Sequence, residues 1–252
     1  MNIAFFDSGV GGISVLKEAL TLLPDENYLY FADSQNAPYG TKDSDLIRTL
    51  MLDATDFLVK QNLKALVVAC NTGTSVAIKD LRKKYDFPII GMEPAIKPAL
   101  QNHPTKNVLV FATERTLLED KFHALVSRLE AKDRVKYLPL QELVMLAEKF
   151  EFEESIILPY LQEKLKDIDW SLYSSIVLGC THFIYFYPHF LKVIPKEVQI
   201  FDGNKGTVRQ LKKKLKQIKQ THTESSSSKE MSFYISKEKA DKKLLEKYLE
   251  VL

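Results

Sequence analysis

The feature that most constrains the fold is a regular alternation of short apolar runs with longer amphipathic stretches. Apolar runs that predict buried strands are Asn2–Phe6, Tyr28–Phe31, Ala65–Ala69, Asn107–Phe111, Ser175–Leu178 and Val198–Phe201, and a last strand is expected at Met231–Ile235. The 3.6-residue period predicts helices at Ile13–Leu23, Leu46–Lys60, Ser75–Tyr85, Leu117–Leu129, Glu154–Leu165 and Val208–Ile218. Strands and helices that alternate in this way are typical of a mostly parallel sheet covered on both faces, so the sequence predicts the α/β class.

The predicted strands end in polar residues, and open α/β sheets bind ligands beyond the carboxyl ends of their strands. These ends are Asp7–Gly12, Asp33–Ser34, Cys70–Thr72, Thr113–Thr116, Cys180–His182 and Asp202–Asn204. The glycines after Asp7 do not have nucleotide-binding spacing, so a nucleotide site is not predicted. An anion-binding turn and a simple helix cap made by Asp7 and Ser8 both remain open for this segment.

Two strand ends, Ala65–Thr72 and Ser175–His182, are near-copies of each other. Each has an apolar strand, a small residue, a cysteine and a polar pair. Their wide separation in the sequence favours a duplicated domain, which would bring Cys70 and Cys180 to one interdomain cleft as a pair of catalytic thiols. A helix that begins just after each cysteine favours the thiolate, so we expect lowered thiol pKa values.

Other roles for the cysteines are less favoured. Two cysteines in 252 residues do not suggest a disulfide framework. A zinc site built on Cys70, Cys180 and His182 lacks the usual C-x-x-C or H-x-x-x-H pair, and a redox dithiol also lacks a local C-x-x-C motif. A single cysteine after an apolar strand is usually a small core residue, but two in matching contexts favour chemistry.

Charge and composition favour a small-molecule partner. The 35 basic and 33 acidic residues leave a net charge of +2, so no global field attracts nucleic acid or an anionic membrane. The amino terminus has no signal-peptide pattern and no apolar run is long enough to cross a bilayer, which predicts a cytoplasmic protein. The lysines at 212, 213, 214, 216 and 219 predict a solvated helix face, and the serine-rich Thr221–Lys229 predicts an exposed loop.

Several motifs occur in a specific order along most of the chain: Phe6–Gly12, Asp33–Ser34, Pro38–Gly40, Ala69–Thr72, Gly91–Pro98, Thr113 with Thr116, Gly179–Phe183 and Asp202–Asn204. With them the chain resembles the glutamate racemases of the aspartate/glutamate racemase superfamily. The resemblance implies cofactor-independent interconversion of L- and D-glutamate, which supplies D-glutamate for peptidoglycan, by a homodimer that needs no metal. An aspartate or other amino-acid racemase is the alternative within this class, and a catalytically silent binding protein is the alternative outside it.

The resemblance also implies an architecture and a set of roles. It predicts two pseudo-symmetric three-layer α/β domains, residues 1–93 plus 206–252 and residues 94–205, with the active site between them. Cys70 would deprotonate D-glutamate with help from Asp7, and Cys180 would deprotonate L-glutamate with help from His182 and Glu148. The predicted substrate-binding residues are Asp7, Ser8, Pro38, Tyr39, Gly40, Asn71, Thr72, Thr113, Thr116, Thr181 and His182.

Chemistry supports these assignments independently. Inversion at Cα requires an acid/base group on each face of the carbon, which suits two opposed thiols. Without a pyridoxal ring, hydrogen bonds to the substrate carboxylate must stabilise the developing charge. Glu148 is equally well explained as an exposed helix carboxylate. Two segments, Gly73–Thr74 and Ile184–Tyr185, depart from the usual Ala-Ser and Pro-Leu of the family without removing these groups.

Overall fold

The strands form two separate sheets. The computed structural model describes residues 1–219 and 230–252. In the first sheet, the order β10-β9-β2-β1-β3-β4 joins β1 (Asn2–Asp7), β2 (Tyr28–Ala32), β3 (Leu63–Val68), β4 (Ile89–Gly91), β9 (Met231–Ile235) and β10 (Glu238–Lys239). In the second, the order β6-β5-β7-β8 joins β5 (Asn107–Ala112), β6 (Val135–Pro139), β7 (Tyr173–Leu178) and β8 (Gln199–Asp202). Neighbouring strands are parallel except β9 and β10, which confirms the predicted α/β class.

Helices connect the strands in both halves of the chain. The α-helices are α1 (Ile13–Leu22), α2 (Ser44–Val59), α3 (Asn71–Lys84), α4 (Ile96–Gln101), α5 (Glu114–Leu118), α6 (Asp120–Arg128), α7 (Gln141–Glu148), α8 (Glu154–Leu165), α9 (Tyr187–Val193), α10 (Asn204–Lys219) and α11 (Lys242–Val251). Short 3-10 helices lie at Ser34–Asn36, Tyr39–Thr41, Trp170–Leu172 and Thr181–Phe186. No described helix is both long and apolar enough to cross a membrane.

The two sheets repeat one pattern. The order β2-β1-β3-β4 in the first sheet corresponds to β6-β5-β7-β8 in the second. The pairing of β1 with β3 and the pairing of β5 with β7 each contain one register shift. The shift lies after the first residue of the central strand in both sheets, Asn2 in β1 and Asn107 in β5. The near-repeat in the sequence therefore corresponds to two equivalent strand ends, β3 before Cys70 and β7 before Cys180. The exact domain limits stay a prediction.

The core connects the two sheets. Ile3 and Phe5 of β1 share one continuous buried cluster with Leu109 and Phe111 of β5. Both faces of each central strand are covered, which is why these strands are almost uniformly apolar. Each fully buried phenylalanine contributes about 1.5–3 kcal/mol to stability. One buried cluster therefore spans both sheets.

Some element predictions were wrong in detail. The strands β4, β6 and β10 were not predicted, nor were α4, α7, α9 and α11. The predicted helix Leu117–Leu129 is two helices, because Glu119 between them is extended (φ −76°, ψ 137°). Helix α3 begins at Asn71 rather than Ser75, since Cys70 caps it. Lys212, Lys213, Lys214 and Lys216 are exposed, and the predicted loop Thr221–Lys229 lies outside the described residues.

Candidate active site

The two sheets bring four functional strand ends together. In each sheet the central strand lies between the two strands that follow it in the sequence, β1 between β2 and β3 and β5 between β6 and β7. The crevice at such a point is the usual ligand site of an open α/β sheet. Asp7 ends β1 and Cys70 follows β3, while Thr113 follows β5 and Cys180 follows β7. One cavity lies between these ends, and its wall is made of Ser8, Pro38, Tyr39, Gly40, Cys70, Asn71, Thr72, Thr113, Val144, Cys180, Thr181 and His182.

The cavity is nearly closed. Its volume is about 10 Å³, which is room for one water molecule. Cys70 is 5% exposed and Cys180 is 7% exposed. An amino acid therefore needs a movement of the wall to enter. Of the predicted site residues, Asp7, Thr116 and Glu148 lie behind this wall instead of in it.

Cys70 is buried, and both of its hydrogen-bond partners are uncharged groups. Its thiol donates to Ser8 Oγ at 3.6 Å and accepts the Gly73 N–H at 3.3 Å as the cap of α3. Burial, together with the neighbouring charge of Asp7, raises the pKa of the Cys70 thiol to about 12. The expectation of a lowered pKa at Cys70 was therefore wrong. The two hydrogen bonds favour the thiolate, but they do not offset desolvation.

Cys180 lies next to a potential cation. Its Sγ is 3.7 Å from His182 Nδ1, and His182 Nε2 donates to Glu148 Oε1 at 2.6 Å. Burial opposes a charge on His182, but hydrogen bonds to Cys180 and Glu148 outweigh burial and raise the imidazole pKa well above its ordinary value. The Glu148 side chain is only 16% exposed, so it is not the solvated helix carboxylate considered above. The residue after Cys180 begins a 3-10 helix rather than an α-helix.

Asp7 links the two sheets beneath the cavity. Its carboxylate accepts the Gly9 N–H at 2.9 Å and the Thr181 hydroxyl at 3.1 Å, so it contacts the segment that follows β7. The carboxyl group is fully buried. Burial raises its pKa to about 6, and the neighbouring His182 limits the rise. Asp7 is therefore largely ionised at neutral pH.

Three threonine hydroxyls form a compact cluster at the wall. Thr72 Oγ1 lies 2.9 Å from Thr113 Oγ1 and 3.1 Å from Thr116 Oγ1, and the last two are 2.9 Å apart. Hydroxyls that bond one another can rotate to donate to a new acceptor. Asn71 adds a buried side-chain oxygen that has no hydrogen-bond partner. The threonine hydroxyls of this corner can donate to a carboxylate, whereas the Asn71 oxygen can accept from an N–H group of a ligand.

The loop Pro38–Gly40 forms another part of the wall, next to Thr113. The Tyr39 hydroxyl donates to Asp33 Oδ2 at 2.6 Å, which fixes the ring. A Cβ at Gly40 would lie 2.5 Å from Gln141 Oε1 and 2.8 Å from Thr113 Cβ, so only glycine fits this approach. The loop of the first sheet therefore packs directly on the second.

The comparisons agree with this site. A model of the Asp/Glu/hydantoin racemase family matches residues 13–211, which include both cysteines. The chain belongs to this racemase family. It is 54% identical to a glutamate racemase of Halothermothrix orenii over 100% of this chain and 99% of the relative. It is 46% identical to glutamate racemase 2 of Bacillus subtilis over 98% and 94% of the two chains. The resemblance to glutamate racemases is confirmed.

Solved racemases have the same fold. The structure of Escherichia coli glutamate racemase with L-glutamate and the activator UDP-MurNAc-ala has a TM-score of 0.80 at 31% identity, covering 92% of this chain and 88% of that one. The Francisella tularensis glutamate racemase with D-glutamate has a TM-score of 0.82 at 25% identity, covering 99% and 93%.

Sequence reasoning missed several residues around this racemase site. Gln141, Val144 and Glu148 share one face of α7, because they are three and four residues apart. Val144 lines the cavity, and the helical spacing from Glu148 was the signal that could have found it. Asp33 was noted only as a polar strand end, although it fixes Tyr39.

The racemase holds its cysteines as free thiols. Within residues 1–219 and 230–252, no three His, Cys, Asp or Glu side chains are placed to hold a metal ion. The groups that can act on a substrate here are the thiols, the His182 imidazole, the two carboxylates and the polar cluster.

Proposed function

We propose that this protein interconverts L- and D-glutamate without a cofactor, by proton transfer at Cα between two thiols. The observation that carries the proposal is the placement of Cys70 and Cys180 in the wall of one small cavity, each after an equivalent strand end. Relatives named glutamate racemase match the whole chain, which supports glutamate as the substrate.

In the D-to-L direction, the Cys70 thiolate removes the Cα proton and the electron pair of the C–H bond moves toward the substrate carboxylate. The Cys180 thiol then donates its proton to the opposite face of Cα. In the L-to-D direction the two thiols exchange roles. Each turnover leaves one cysteine protonated and the other ionised, so protons and charge balance.

The two thiolates are stabilised differently. An imidazolium at His182, held by Glu148, stabilises negative charge on Cys180. Cys70 has no cation within hydrogen-bond distance among the described residues. The positively charged amino group of a bound substrate would offset the Asp7 charge that raises the pKa of Cys70. We therefore infer that substrate binding itself activates Cys70.

The polar corner supplies the electrostatic stabilisation. The threonine hydroxyls and the Asn71 side-chain NH₂ can donate to one carboxylate of the substrate, and such bonds strengthen as negative charge develops in the transition state. Because the cavity is too small to admit glutamate as it stands, the wall must open for entry and close around the substrate, which excludes water.

A solvent-exchange experiment tests the function. The purified protein, with no added cofactor, is incubated in D₂O with L- or D-glutamate, and Cα deuteration is followed by NMR and optical inversion by circular dichroism. We expect both signals for both enantiomers. Cys70→Ser and Cys180→Ser should each lose about 10²- to 10⁴-fold in rate, since each removes an acid/base group. Thermal unfolding of the variants controls for folding.

Two outcomes would contradict the proposal. Full activity in either serine variant would rule out the two-thiol mechanism. Faster turnover of L- or D-aspartate than of glutamate would instead indicate an aspartate racemase. We propose further that the protein supplies D-glutamate for peptidoglycan synthesis, which complementation of a D-glutamate auxotroph tests. We also propose that it is a homodimer, which light scattering tests.

A further inference from the structure

The carboxyl end of α7 is fastened by the C-terminal helix α11. The Tyr248 hydroxyl donates to the Ala147 carbonyl at 3.0 Å and lies 3.4 Å from the Glu148 carbonyl. Tyr248 is 3% exposed and is about 100 residues away in sequence. The bond is made to the backbone of Glu148 and its neighbour, so it restrains where the Glu148 side chain begins.

A second tyrosine, Tyr185, restrains the peptide group that binds the Glu148 carboxylate. Glu148 Oε1 accepts the Val10 N–H at 2.9 Å, and the Val10 carbonyl accepts the Tyr185 hydroxyl at 2.9 Å. The rings of Tyr185 and Tyr248 pack edge to face, with centroids 5.6 Å apart. Phe152 contacts both rings, at 5.4 and 6.5 Å. One aromatic cluster therefore holds both the backbone that carries Glu148 and the peptide that binds its carboxylate.

Space around this carboxylate is tight. A Cβ at Gly9 would lie 1.7 Å from Glu148 Oε1, so the carboxylate packs against the backbone of the glycine-rich turn. The same oxygen bonds His182 Nε2 at 2.6 Å. A small shift of the α7 end would therefore change the bond to His182.

We propose that Tyr248 is a positioning residue for the chain Glu148–His182–Cys180, which makes α11 part of the support of the active site. The inference rests on the proposed racemase function. Tyr248 does not line the cavity, so it acts through Glu148 and not on the substrate. Its loss should affect turnover and leave substrate affinity unchanged.

The first test compares two hydroxyl deletions. Tyr248→Phe removes one hydrogen bond that positions Glu148, and a loss of this size should lower kcat about three- to tenfold. The KM should be unchanged. Tyr234→Phe is the matched control, because its hydroxyl also belongs to the C-terminal segment but bonds Gln61 Oε1 at 3.3 Å. Equal kcat changes in the two variants, or a change confined to KM, would overturn the proposal.

The second test separates positioning from a general structural role. In a Glu148→Gln background, Tyr248→Phe should cause no further loss of kcat, since the group it positions is gone. The same fold-loss in both backgrounds would overturn the proposal. An inactive wild-type protein would instead refute the racemase function.

If the Glu148→Gln variant is too slow to assay, an NMR titration of His182 tests whether Tyr248 positions Glu148. Tyr248→Phe should lower the pKa of His182, because a displaced Glu148 stabilises the imidazolium less. Tyr234→Phe should leave this pKa unchanged. An unchanged His182 pKa in Tyr248→Phe would overturn the proposal.

Discussion

Cys70 and Cys180 follow equivalent strands, yet their neighbours differ in charge. Cys70 contacts a serine hydroxyl and a backbone N–H, whereas Cys180 contacts an imidazole that a carboxylate keeps protonated. Duplication of the fold therefore did not preserve duplicate sites. The residues next to each thiol therefore give the two cysteines different electrostatic surroundings.

Asp7 should cost the folded protein stability at neutral pH. Its pKa rises from 3.8 to about 6 on folding, so between these values the folded chain holds a proton that the unfolded chain has lost. Stability must fall as pH rises through this window, by about 3 kcal/mol in full. We expect Asp7→Asn to raise Tm at pH 7–8 and to lose activity, with the Tm gain vanishing near pH 4.

Calorimetry across that pH range measures the effect. Asp53→Asn is a suitable control, because Asp53 is an exposed carboxylate of α2 that pairs with Lys237. A Tm gain of Asp7→Asn that is the same at pH 4 and pH 8 would show that the buried charge is not its cause.

Glu148 should control the protonation of His182. Burial lowers the imidazole pKa and is opposed by the contacts with Cys180 and Glu148, so Glu148→Gln, which removes the carboxylate that accepts from Nε2, should lower this pKa. NMR titration of the His182 ring measures this directly. A Glu151→Gln variant, altered at the carboxylate that follows α7, should leave the pKa unchanged. An unaltered His182 pKa in Glu148→Gln would contradict the assigned contact.

The polar residues at strand ends could be predicted from the sequence, because an apolar run followed directly by Asp7, or closely by Cys70, is a local sequence pattern. It could not give the pKa of Cys70, which depends on how completely the folded chain excludes water from the thiol. Nor could it identify Tyr248, since that contact depends on the docking of a helix about 100 residues away.

At the scale of elements, prediction succeeded where burial on both faces leaves a continuous apolar run, as in β1, β3 and β5. It failed at the edge strands β4, β6 and β10. In β6, Lys136 interrupts the apolar run and both Lys136 and Tyr137 are exposed. Strand β10 is an exposed pair of charged residues. Strand β4 is three residues long, which is too short for a periodic pattern.

Gly179 connects β7 to Cys180, and close packing requires it to be glycine. Its N–H donates to the Phe111 carbonyl at 2.7 Å, and a Cβ would lie 2.8 Å from that oxygen. Gly179→Ala should therefore destabilise the protein by about 1–3 kcal/mol in urea unfolding and slow catalysis by moving Cys180. Gly206→Ala, in α10 with nothing within 4 Å, should instead gain about 0.5–1 kcal/mol. Equal effects at the two sites would contradict the steric argument.

At the scale of the whole molecule, two hydrogen bonds join the halves of the chain just beyond the wall residues Gly40 and Thr113 in the sequence, and we call them the rim contacts. Arg115 Nε donates to the Lys42 carbonyl at 2.9 Å, and Ser44 Oγ donates to Glu119 Oε1 at 2.7 Å. Lys42 and Ser44 belong to the segment after β2, while Arg115 and Glu119 follow β5. Both bonds must break if the sheets separate to admit substrate.

Arg115→Ala should therefore make opening easier. We expect iodoacetamide to alkylate the buried cysteines about three- to tenfold faster in this variant, because the closed state loses the stabilisation of one hydrogen bond. Mass spectrometry measures the alkylation rate. Arg48→Ala is the matched control, because Arg48 pairs with Asp80 inside the first half of the chain. Equal alkylation rates in the two variants would show that this rim contact does not limit access.

The unequal surroundings of the two cysteines have a consequence for kinetics. The two enantiomers of glutamate have equal free energy in water, so the Haldane relation requires kcat/KM to be the same in both directions. Unequal surroundings of Cys70 and Cys180 therefore cannot make the enzyme more efficient toward one enantiomer. Unequal surroundings can change only kcat and KM together. The direction with the larger kcat then also has the larger KM, by the same factor.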